Sequence, residues 1–88
     1  MKLHRFWFRF DFKLDDGSPP GLLMGCGVTA YNYDDALELL KSKVFKDIVP
    51  PPKSVEEDVD VSTLDTGHVL PNMGNVTVRG IWFPLGYE

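Results

Sequence analysis

Residues 3–14 alternate without a break: Phe6, Phe8, Phe10, Phe12 and Leu14 stand at even positions, with Arg5, Trp7, Arg9, Asp11 and Lys13 between them. A period of two places the first set on one face of a β-strand and the second on the other; a helix would scatter both sets around its axis. The chain must therefore build a sheet with one strongly apolar side, and a later segment must cover that side. With 88 residues there is material for a single domain, spanning 1–88, because a chain this short withdraws only roughly 60 to 65% of its extended surface from water.

The following stretch, Asp15-Asp16-Gly17-Ser18-Pro19-Pro20-Gly21, offers a positive-φ turn position at Asp-Gly and prolines that stop pairing, so a hairpin loop is expected. A second strand over 22–31 would carry Leu22, Met24, Cys26, Val28 and Ala30 toward the core. Its other face holds Leu23, Gly25, Gly27, Thr29 and Tyr31. Two glycines on one strand face leave backbone bare unless a large neighbour covers it, and Trp7, on the same side of the first strand, is the candidate.

Asn32 is a good N-cap, and Asp34 and Asp35 suit the positive end of a helix dipole. Tyr33, Ala36, Leu37, Leu40 and Val44 then recur at spacings of three and four, which predicts a helix over 33–45 with Lys41, Lys43 and Lys46 toward its C-terminal end. Pro50-Pro51-Pro52 blocks continuation and makes a stiff connection. Alternation resumes at 55–61, with Val55, Val59 and Val61 on one face and Glu56, Asp58 and Asp60 on the other, predicting a third strand.

From Ser62 to Gly74 no period survives, so a long loop is expected, with a helical turn opened by Ser62 and Asp65. A fourth strand occupies 75–83. Either Val78 and Trp82 or Ile81 and Phe83 face inward, depending on a bulge at Gly80. The order ββαββ defines an α+β fold: one helix, at about 33–45, packed on one face of a four-stranded, mainly antiparallel sheet. Two placements of the last strand fit, parallel beside the first as in β-grasp domains, or within a wholly antiparallel sheet.

Thirteen Asp and Glu against nine Lys and Arg leave a net charge of -4, which opposes attachment to phosphate backbones; no nucleic acid is expected as a direct partner. No apolar run approaches the roughly 20 residues that span a bilayer, and the basic residues 1–5 lead into aromatics mixed with charges rather than a secretory signal. A lone cysteine, Cys26, excludes an intrachain disulfide and fits a reducing compartment, so a cytoplasmic location is expected.

Gly25-Cys26-Gly27-Val28-Thr29-Ala30 has the form G-x-G-x-x-A, but the glycines lie inside a strand and not at a strand-to-helix turn, so they read as structural. No cofactor is expected. His4 and His68 lack metal-ligand spacing, and no metal is expected either. Cys26 faces the core as a small apolar residue. Asp65, His68 and Asn72 on the long loop are the polar groups available to a small-molecule or enzymatic site.

Glu56, Asp58 and Asp60 form a carboxylate row and Arg5, Arg9 and Lys13 a cationic one; the two rows either pair across the sheet or leave the acidic one to a basic partner. Trp7, Tyr31, Trp82 and Phe83 exceed what one helix covers. They either form an open aromatic interface on the helix-free face or lie under the 62–75 loop. The leading expectation is a small acidic protein-binding module, not an enzyme, of the inhibitor, antitoxin or immunity type. Its proposed contacts are Trp7, Glu56, Asp58, Asp60 and Trp82. Alternatives are a site in the 62–74 loop and a homodimer formed through the helix-free sheet face.

Met24-Gly25-Cys26-Gly27-Val28-Thr29-Ala30-Tyr31-Asn32-Tyr33-Asp34-Asp35-Ala36-Leu37 resembles the strand-to-helix segment of HicB-type antitoxins, in which a Gly-Cys strand leads into a capped helix opening with acidic residues and alanine. The resemblance covers 14 of the 88 residues, without the proline and acidic residues that precede Gly-Cys in that family.

Overall fold

The computed structural model describes residues 2–10, 25–45, 49–64, 67, 69–85 and 87. The expected hairpin loop at 15–21 and the predicted strand ends at 11–14 and 22–24 lie outside these residues. Strand β1 (His4–Arg9) pairs with β2 (Cys26–Ala30) in antiparallel register, with Phe6 opposite Val28 and Trp7 opposite Gly27. Strand β3 (Ser54–Glu57) lies outside β1 and β4 (Gly80–Phe83) outside β2, giving the order β3-β1-β2-β4 with each pairing antiparallel. The last strand thus runs beside β2, and the β-grasp alternative does not hold.

Helix α1 (Tyr33–Leu40) continues through a π-helical turn, Lys41–Phe45, so the two together fill the predicted 33–45 span. Asn32 Oδ1 accepts from the Asp35 amide at 2.8 Å and Asp35 Oδ2 accepts from the Tyr31 amide at 3.0 Å, which satisfies two donors at the helix entrance. The helix lays Ala36, Leu39, Leu40 and Val44 on Phe6, Phe8, Phe10, Cys26, Val28, Ala30 and Ile81. Phe6, Phe8 and Phe10 therefore face the helix, as the period of two requires. Tyr33, at the rim, stays 41% exposed while its ring packs near Phe6 and Phe8.

The opposite face is a second core. Trp7, Trp82 and Phe83 are buried there with Val59 and Val69, and Val61, Leu64, Met73 and Val76 pack around them. The connection from β3 to β4 is thus folded across the helix-free face, pinned by Thr29 Oγ1 donating to the Val76 carbonyl at 2.7 Å and by the Gly74 amide donating to the Trp82 carbonyl at 2.7 Å. Trp7 and Trp82 stack with centroids 5.8 Å apart and planes at 25°. Gly25 lies against the Trp7 indole, as expected of Trp7, and Gly27 against that of Trp82.

Three elements depart from the sequence expectation. The strand expected at 55–61 stops at Glu57, because Asp58 adopts a left-handed conformation with φ 56° and turns the chain out of the sheet. Asp60 then caps a 3-10 turn, Val61–Thr63, with Oδ1 accepting from the Ser62 amide at 3.0 Å; the turn is opened by Asp60 and not by Ser62, and Asp65 lies outside the described residues. The strand expected at 75–83 starts only at Gly80, since the Asn75 side chain accepts from the Thr77 amide at 2.9 Å and holds that stretch in a turn.

The bulge expected at Gly80 falls instead at Trp82: Val28 pairs with Ile81 and Gly27 with Phe83, leaving Trp82 as the extra residue of β4. One added residue breaks the alternation. Ile81 joins the helix-side core, while Trp82 and Phe83 both join the other one.

An added Cβ at Gly27 would collide with the Trp82 ring, whereas one at Gly74 would lie 3.6 Å from Leu85. Gly27→Ala is expected to cost about 1–3 kcal/mol in urea unfolding, and Gly74→Ala less than about 1 kcal/mol.

Candidate functional site

With both sheet faces covered, the exposed polar side chains lie on the outer face of the helix, among them Asp34, Glu38, Lys41 and Lys43, and along the sheet edges. β3 is an edge strand, hydrogen-bonded to β1 on one side. Glu56, Glu57, Asp58 and Asp60 are all exposed along or just beyond it. Glu56 stands opposite Trp7 and borders an open recess of about 340 Å³ lined by Trp7, Arg9, Ser54, Val55 and Glu56. Another recess, of about 220 Å³, lies at the far edge among Asn75, Val78, Arg79, Gly80 and Ile81.

The carboxylates of this rim have separate duties. Asp58 Oδ1 lies 2.8 Å from His4 Nδ1, and Glu57 Oε1 lies 4.0 Å from the same nitrogen. The Asp60 carboxyl is held below its ordinary range, first by the Ser62 hydroxyl and then by the Ser62 amide, both donating to it. Arg5 Nε donates to the Val59 carbonyl at 3.2 Å, and Arg9 stands opposite Ser54. Among the described residues the regular row-to-row pairing of cations and carboxylates is not seen: Glu56 stands opposite Trp7 and Arg9 opposite Ser54, and β3 ends before Asp58, while Lys13 lies outside them.

Of the residues expected to meet a partner, Trp7 is 7% and Trp82 1% exposed. Of the four aromatics expected on that face, Trp7, Trp82 and Phe83 are buried beneath described parts of the β3–β4 connection, the second of the two arrangements expected, while Tyr31 stays 41% exposed. Trp82 is wholly interior, and among the described residues nothing accepts a hydrogen bond from its Nε1. Trp7 still shows one edge, as part of the wall of the recess beside Glu56.

Asp65 and His68 lie outside the described residues. Asn72 is exposed in a 3-10 turn, Leu70–Asn72, its amide donating to the Val69 carbonyl at 3.0 Å. Val69, three residues earlier, is part of the second core, so this part of the loop serves as a cover for the sheet. Burial pushes the Cys26 thiol up to about 12, which keeps it protonated and unreactive, in keeping with a core role.

Sequence reasoning missed two groupings. His4 meets Asp58 across 54 positions, through a register that no local spacing encodes. Arg79 meets Asp35 across 44, its Nε donating at 2.9 Å and its Nη2 completing a fork on the same carboxylate. That fork ties the approach to β4 to the start of the helix.

No family model, no curated protein and no solved structure matches the chain. The class is therefore the one its architecture defines: a small α+β domain with one helix on an antiparallel four-stranded sheet.

The Arg79 hydrogen bond lowers the Asp35 carboxyl from 3.8 to about 2, with the Tyr31 amide adding to the effect. A depressed carboxyl favours the folded state at every pH above its unfolded value and ceases to do so as pH falls through its folded value. The melting temperature of wild type is therefore expected to exceed that of Arg79→Ala above about pH 4, with the gap narrowing between about pH 4 and pH 2.

Proposed function

We propose that this chain is a small acidic, non-catalytic protein-binding module that meets a basic partner along the β3 edge, as an inhibitor, antitoxin or immunity-type protein in the cytoplasm would. The observation that supports the reading is the exposure of Glu56, Glu57, Asp58 and Asp60 together at one edge of a chain with net charge -4. Complementary charge of that kind speeds encounter and rejects acidic competitors. The Trp7 edge, at the wall of the recess beside Glu56, supplies an apolar contact next to the charges. Trp82, being interior, leaves the set of proposed contacts.

An edge strand also presents unpaired backbone groups to an incoming segment. Here that edge is four residues long, preceded by Pro50-Pro51-Pro52 and followed by left-handed Asp58. Short length, proline and charge restrain indiscriminate strand addition, so selectivity rests on the side chains.

The test is affinity capture from the native lysate with wild type beside a Glu56→Lys, Asp60→Asn double variant, in which Asn keeps the cap of the 3-10 turn. A basic protein held by wild type, released by added salt and bound at least about tenfold more weakly by the variant is the expected result. Equal retention of the partner by both proteins removes the acidic edge from the interface.

A further inference from the structure

We infer that His4, Glu57 and Asp58 bind one divalent transition-metal ion of the zinc, cobalt or nickel kind at the corner where β1 begins and β3 ends. Each of the three offers one donor atom, and the donors all lie within 4.8 Å of one another. A tetrahedral ion holding imidazole nitrogen and carboxylate oxygen at about 2.0–2.2 Å sets its donors roughly 3.3–3.6 Å apart. The contacts from His4 Nδ1 to Asp58 and Glu57, at 2.8 and 4.0 Å, lie on either side of that spacing, so small side-chain rotations bring both carboxylates onto it. Glu57, with 61% of its side chain exposed, has the rotational freedom to close the remaining distance.

The backbone makes this corner a consequence of the fold. Glu57 is fixed opposite Phe6 by the β1–β3 register, and the Val59 amide returns to β1 by donating to the Arg5 carbonyl at 3.2 Å. Asp58 lies between those two attachments in a left-handed conformation, and its carboxylate reaches the His4 ring. That ring is itself restrained: its side chain is 26% exposed and it lies 6.4 Å from the Phe6 ring. One donor is thus held at the margin of the core, the backbone of Glu57 is set by strand pairing and Asp58 already meets the ring, so the ion has chiefly the Glu57 side chain to order.

The donor chemistry selects the metal. One imidazole with two carboxylates is a mixed nitrogen and oxygen set, suited to borderline transition ions, whereas magnesium and calcium take oxygen ligands throughout. Two carboxylates balance the charge of a divalent ion. Three protein donors leave a coordination position open to water or to a group from a binding partner. Bound through Nδ1, the neutral His4 ring carries its one proton on Nε2, and any other proton between Nδ1 and the Asp58 carboxylate passes to water.

Nothing in this inference depends on the proposed protein partner, and the purified full chain without an affinity tag suffices to test it. Calorimetric titration with zinc sulfate is expected to show one ion per chain with micromolar affinity, unaffected by millimolar magnesium. His4→Ala, Asp58→Asn and Glu57→Gln should each weaken binding by at least about tenfold, and His68→Ala should not. Glu57→Gln guards against a folding defect, because that side chain is largely exposed, and near-UV circular dichroism checks every variant. In wild type, cobalt should broaden the His4 imidazole resonances selectively. Absence of saturable binding below about 1 mM zinc, or affinity unchanged in both Glu57→Gln and Asp58→Asn, would overturn the assignment and leave these side chains as an ordinary surface ion pair.

Discussion

The stack of Trp7 on Trp82, laid over the two glycines of β2, is the contact on which the rest of the architecture depends. A sheet with one helix has a second face that water would otherwise wet, and the described residues hold no second α-helix to place there. Absence of side chains at Gly25 and Gly27 lets two indoles lie flat against the strand, and their upper surfaces become the floor on which Val59, Val69 and their neighbours pack. An irregular connection can cover a sheet only where the sheet offers large rigid surface for small apolar side chains to meet. Aromatic bulk from the strands thus substitutes for a missing layer of secondary structure.

Filling both faces moves any functional surface to the edges. The helix-side core is closed by Leu39, Leu40 and Val44, and the other by the connection that Thr29 and Gly74 pin to the sheet. The two edges then differ in character. β4 is flanked by the Gly74 amide bonded to the Trp82 carbonyl and by the Arg79–Asp35 fork, whereas β3 ends in a run of exposed carboxylates. Charge, and not apolar area, is what the described surface offers in concentrated form.

The alternation of residues 3–14 was enough to set the two faces of β1, because period alone decides which side chains share a face, and the described part, through Phe10, follows it. The helix entrance at Asn32 was legible for a similar reason: capping is local chemistry, written in neighbouring residues. Trp7 over Gly25 was legible once both were assigned to one face. Trp82 over Gly27 was not, since it depends on a bulge that only strand pairing creates. The truncation of β3 turns on one left-handed aspartate, a conformation that Asp adopts only occasionally and that spacing does not announce. Val69 carries no period and Val59 sits in an alternation that reads as a strand, so the role of both as a lid emerges only when the aromatic floor beneath them exists.

The two proposed activities of the β3 corner share atoms, and that sharing constrains both. Glu57 and Asp58 belong to the acidic edge and are also the oxygen donors of the inferred metal site. A divalent ion bound there cancels two of the negative charges presented to a basic partner, while its open coordination position adds one specific point of attachment. Whichever of these effects is larger, the coupling is reciprocal: an ion that weakens partner binding by a given factor must itself be held more weakly by the same factor when the partner is present, and the converse holds if it strengthens binding. Glu56 and Asp60 lie outside the donor set, so charge-mediated attraction retains a component that no ion at His4 can cancel. The corner is thus separable into a metal-responsive half and a metal-indifferent half, and that division follows from the point at which β3 leaves the sheet.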